Sequence, residues 1–129
     1  MRKIIIKSVR HSDQPYDTVG MWKRDKKGTL HIDVSDMKNE KYELLVAIHE
    51  LVETFLCEND GVSEQMVTDF DVEFERLRRK KKVSSAAEPG DDVNAPYAKQ
   101  HCIATSVERL LCAALGLSWQ EYDDKVMSL

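Results

Sequence analysis

The sequence predicts an α+β fold: an N-terminal strand and a β-hairpin, then three long helices and a short C-terminal helix. Three observations carry that expectation. Alternating and β-branched apolar runs are confined to the segment before Asp36. From Tyr42 onward the apolar residues recur at helical spacing, and capping and turn residues mark the boundaries between runs. With 129 residues the chain suits a single domain, 1–129, large enough to bury its own core.

Taken in order, Ile4–Val9 is β-branched and reads as a strand. Residues 11–17 are polar and contain Pro15, so a loop follows. Residues 19–22 and 29–34 then form two short strands around the polar, Gly-ended turn 24–28, a hairpin signal. Leu30, Ile32 and Val34 alternate with His31 and Asp33, which predicts one buried and one wet face. Asp36 or Asn39 can cap the next helix, which runs from Tyr42 to about Glu58 and stops at Asn59-Asp60-Gly61. Ser63 caps a second helix with Met66, Val67, Phe70, Phe74 and Leu77 as its apolar stripe. Residues 83–95 make a long connection whose second half is rich in carboxylates. Asn94 and Pro96 are expected to open the third helix, which ends at Gly116. Its core face is read as Ile103, Val107, Leu110, Leu111 and Ala114, with His101, Thr105, Glu108 and Cys112 nearly opposite. Ser118 to Glu121 is a capping box for the terminal helix.

Composition narrows the function classes. Apolar content of 42% and charged content of 33% are ordinary for a soluble globular protein. A net charge of −4 gives no overall basic surface for nucleic acid. The one basic run, residues 76–82, reads as a solvated helix end that complements the macrodipole, with no aromatic residues interleaved. Three cysteines without CxxC spacing argue against a disulfide framework or zinc knuckle. The apolar run near the N-terminus is too short for a signal peptide or membrane span, so a cytoplasmic setting is expected.

The residues that could carry chemistry concentrate in the first helix. It is apolar almost all round, with Leu44, Ile48, Leu51, Val52 and Phe55 as the expected core face. His49, Glu50, Glu53 and Thr54 interrupt it. Burying an imidazole and two carboxylates costs several kcal/mol unless each finds a partner. A divalent metal would satisfy them together, and a plain hydrogen-bonded network is the alternative. His49 and Glu53, four residues apart, can hold one ion from a single helical face. Glu50 can reach a metal-bound water as general base. Further ligands are sought in His101, the only histidine of the third helix, then Asp71, Glu108 and the Asp91–Asp92 turn. His11 and His31 are expected at the surface. Cys57, Cys102 and Cys112 are expected as small buried hydrophobes, and Glu73 as partner to an arginine such as Arg109.

A hairpin followed by a helix carrying His49-Glu50-Leu51-Val52-Glu53 resembles the active-centre helix of zincin metallopeptidases, whose motif is HExxH. The resemblance implies His49 as metal ligand and Glu50 as base. Glu53 stands where the family has its second histidine, and no third ligand follows at zincin spacing. A carboxylate hardens the site, so Mn, Fe or Mg join Zn as candidate metals. The whole chain also resembles short uncharacterised phage and bacterial proteins, a likeness that carries no activity. The leading expectation is a metal-dependent hydrolase acting on a small molecule or a peptide. A nucleoside-triphosphate pyrophosphatase of the MazG type, built on Glu50 and Glu53, is one alternative. A non-enzymatic phage-type accessory protein that binds another protein is the other. Homodimerisation through the helices or the hairpin edge is left open.

Overall fold

The computed structural model describes residues 3–129. Its elements are β1 (Ile4–Val9), β2 (Gly20–Arg24), β3 (Leu30–Ser35), α1 (Glu40–Asn59), α2 (Glu64–Arg79), α3 (Ala98–Ala114) and α4 (Trp119–Met127). This is the α+β order expected from the sequence. β3 is the central strand, parallel to β1 and antiparallel to β2. Ile6 and Trp22 both stand opposite Ile32.

The hairpin turn is closed by Asp25, whose carboxylate accepts from the Lys27 and Thr29 amides. Gly28 then supplies the left-handed residue, with φ +81°, that a side chain would strain. Alternation in β3 works as read, since Leu30, Ile32 and Val34 are fully buried. Each such side chain contributes about 1.5–3 kcal/mol by leaving water. Gly20 on β2 has a different duty. A Cβ there would lie 2.7 Å from Val46 and 2.9 Å from Glu50, so only glycine lets this strand rest against α1.

Asn39 caps α1 by accepting from the Lys41 and Tyr42 amides, and Ser63 and Ser118 cap α2 and α4. α1 and α3 run antiparallel: His49 meets Glu108 and, one turn on, Glu53 meets His101. No helix is long and apolar enough to cross a membrane among the described residues.

The helices are rotated from the faces the sequence suggests. On α1 the buried residues are Leu45, Val46, Ala47, His49, Glu50, Glu53, Thr54 and Cys57. Leu44 and Phe55, expected in the core, are 43% and 45% exposed. On α3 the buried stripe contains Ala104, Glu108 and Cys112, while Ile103 and Leu110 are 40% and 73% exposed. Hydrophobicity alone ranks these faces the other way round, because it cannot see that the polar residues satisfy one another across the helix pair.

Four smaller differences follow from local geometry. α3 starts at Ala98 with Tyr97 at its cap, because residues 89–91 form a separate 3₁₀ turn that delays the helix. Cys102 is exposed, although Cys57 and Cys112 are buried as expected. Glu73 is exposed and pairs with Arg76 at 2.7 Å. Arg109 lies over the Trp119 ring instead, 4.4 Å from its centroid.

Candidate metal centre

Three side chains from two helices meet at one point. His49 Nε2 lies 3.2 Å from Glu53 Oε2 and 3.2 Å from His101 Nδ1, and His101 Nδ1 lies 3.1 Å from the same Glu53 oxygen. All three have partly or fully buried side chains, and their donor atoms could hold a metal ion together. Ligands about 2.0 Å from a tetrahedral ion are separated by about 3.3 Å. The observed triangle therefore has the size of one face of such a site, with a fourth position left for water or substrate.

The far nitrogen of each ring is also provided for. His49 Nδ1 faces Glu108 Oε1 at 2.9 Å, and Glu108 in turn accepts from the Tyr122 hydroxyl. His101 Nε2 faces Asp91 at 3.4 Å and Glu88 at 3.6 Å. A proton on each far nitrogen, donated to a carboxylate, leaves the near nitrogen's lone pair for the shared point. Gly90 makes the second of these contacts feasible. A Cβ there would come within 2.4–2.7 Å of the imidazole, so the 3₁₀ turn reaches His101 only as glycine. Replacing Glu108 by Gln is expected to weaken zinc binding about 10–100-fold, read by competition with a chromophoric chelator.

Electrostatics separate the carboxylates by role. Burial works against a charged carboxylate at Glu53, but hydrogen bonds from His101 and His49 outweigh it and hold its pKa below the usual range. Burial likewise opposes charge on His49 and His101. Hydrogen bonds to Glu108 and Glu53 raise the first, and those to Glu53 and Glu88 raise the second to about 9. Glu50 differs from all of these. It is 9% exposed, and although its backbone carbonyl accepts from the Thr54 hydroxyl, its carboxylate makes no hydrogen bond among the described residues. Burial first, and then the Glu53 charge, push it up to about 8.

Of the residues singled out from the sequence, His49, Glu53 and His101 come together, and Glu50 lines the same cleft. Asp71 also lines the cleft but does not join the triangle. Its carboxylate accepts from Tyr16 at 3.0 Å and from Tyr97, and burial raises it to about 6. Glu108 supports His49, Asp91 faces His101, and Asp92 caps the turn by accepting from the Asn94 amide. His31 pairs with Asp25 on the outer strand face, while His11 is half-buried between Ser35 and Asp17 at the cleft wall. Sequence reasoning expects the loop 89–92 to border the pocket, and Pro89, Gly90 and Asp91 do line it, but it gives no role to Glu88 or Tyr122. The spacing of His101 and Glu108, two turns on one face, was a usable signal. Tyr122 had none.

Comparison with family models, with curated proteins and with solved structures gives no match for this chain.

Proposed function

We propose that the protein is a metal-dependent hydrolase whose ion is held by His49, Glu53 and His101. The observation that carries this reading is the triangle of donor atoms, 3.1–3.2 Å on every side, with a carboxylate behind each imidazole. Three protein ligands and an open fourth position are the pattern of catalytic rather than structural sites. The ion would lower the pKa of a bound water and polarise the substrate. Glu50, unpaired and buried beside Glu53 in sequence and field, suits the role of base for that water. A cleft of about 590 Å³ opens onto these residues and is large enough for a small molecule or a short peptide.

Two imidazoles and one carboxylate favour zinc, manganese or iron over magnesium. The donor set thus gives less support to a magnesium pyrophosphatase, which would gather carboxylates instead. Chelator-treated protein, freed of metal by dialysis, tests the proposal. Returning one equivalent of zinc should raise its melting temperature, and elemental analysis of untreated protein should find a bound transition ion. Identical melting curves with and without zinc would end the proposal.

A further inference from the structure

The geometry points to a substrate that carries an ammonium or guanidinium group, anchored in the cleft by Asp71; this rests on the metal-centre reading and names its substrate class. Among the described residues, ten carboxylate side chains line the cleft wall. Arg78 and Arg109 are its only arginines, and no lysine lines it among the described residues. Both arginines have neighbours, although Arg78 Nε is buried without a hydrogen-bond partner among the described residues. Arg78 pairs with Glu75 at 2.9 Å and donates to the Ala87 carbonyl, and Arg109 lies over Trp119. A phosphate or carboxylate substrate would therefore enter a cleft in which carboxylates outnumber arginines ten to two, apart from the proposed ion.

Four acids in that wall, Glu50, Glu64, Asp71 and Asp123, have no ion pair among the described residues, and Glu50 and Asp71 lie closest to the proposed metal ligands in the field they share. Glu50 is nine-tenths buried and borders the cleft, and its carboxylate has no hydrogen-bond partner among the described residues. Asp71 accepts only from the hydroxyls of Tyr16 and Tyr97, both of which line the cleft. The two carboxylates feel one another, each beside Glu53. Neutral hydroxyls fix the direction of the Asp71 carboxylate without discharging it, and a carboxylate oxygen has room for another donor. Tyrosine surface beside a carboxylate is also the chemistry that receives organic cations. With Glu50 reserved for water, Asp71 is the anchor.

Isothermal titration of the zinc-loaded protein at low ionic strength tests this, using trilysine, spermidine, triglutamate and magnesium ATP as probes. Trilysine and spermidine should bind, the first alone if a peptide backbone is also recognised, and both more weakly as salt rises. Asp71→Asn should weaken trilysine at least tenfold while the zinc content stays unchanged. Magnesium ATP or triglutamate binding as well as trilysine would overturn the inference, as would an Asp71→Asn protein that binds trilysine normally. Should that variant fail to fold, the ranking of the four probes on the unaltered protein decides the matter alone. Protein that binds trilysine but never zinc would instead defeat the metal centre and leave the charge selectivity of the cleft standing.

Discussion

His49→Ala is expected to abolish stoichiometric metal binding. The variant loses one of three donors and, with it, the contact that fixes Glu108. At a free zinc concentration about 100 times the dissociation constant, the unaltered protein gains about 2.7 kcal/mol of stability. The variant should gain almost none. Its metal-free stability should also fall, because Glu53 and Glu108 lose a hydrogen-bonding partner in a buried setting, a deficit on the order of 1–3 kcal/mol. Calorimetric melts with and without zinc separate the two effects. His31→Ala is the control. Its ring pairs with Asp25 away from the cleft, so that variant should keep both metal and zinc response. If His49→Ala still binds one equivalent of zinc at the original affinity, the assigned ligands are wrong.

The order and type of the elements were legible because each carries a local signal. Alternation in Leu30, Ile32 and Val34, the cap residues Asn39, Ser63 and Ser118, and the turn at Asp25 to Gly28 all act over a few residues. Which side of a helix faces inward is not a local property. In α1 and α3 the interior is lined by His49, Glu53, His101 and Glu108, each of which is costly to bury alone and acceptable only together. Counting apolar residues therefore turned both helices outward. The sequence did place His49, Glu50 and Glu53 as one unit, since their spacing is fixed by the helix itself. The contacts from Tyr122 and Glu88 depend on how distant segments dock; the carboxylate-rich turn 88–92 suggested a pocket wall, but not the close approach of Gly90 to His101.

The same inversion exposes Leu44 and Phe55 on α1 and Ile103 and Leu110 on α3, with Ile48, Leu51 and Val107 part-buried between them. Each set repeats at i, i+4 and i+7, the spacing of an apolar stripe. The exposed members of these stripes explain why the sequence signal for a core was strong there. A buried polar centre was accommodated by giving up part of the apolar burial that these helices could have made.

Glu50→Gln should separate catalysis from stability. Removing the base from a hydrolytic site is expected to lower turnover about 10²–10⁴-fold, with metal content unchanged because Glu50 is not among the three donors. Stability should move the other way. The folded pKa of Glu50 is raised from 4.5 to about 8, so the native state holds a proton that the unfolded chain has released. Below pH 4.5 both states are protonated and the group costs nothing. As pH rises from 4.5 towards 8, metal-free protein loses up to about 1.4 kcal/mol per pH unit on this account. His49 and His101, also raised, add losses of the same sign above pH 6.5. Glutamine stays neutral throughout, so the metal-free variant should outlast the unaltered protein above pH 8, by on the order of 2–4 kcal/mol. Denaturant melts across pH 5–9 read this directly, and parallel pH profiles for the two proteins would contradict it. Zinc loading should change this difference. An ion beside Glu50 favours the charged carboxylate, so loading both proteins should shrink the gap between them. Only a carboxylate that shares its field with the metal would respond in that way.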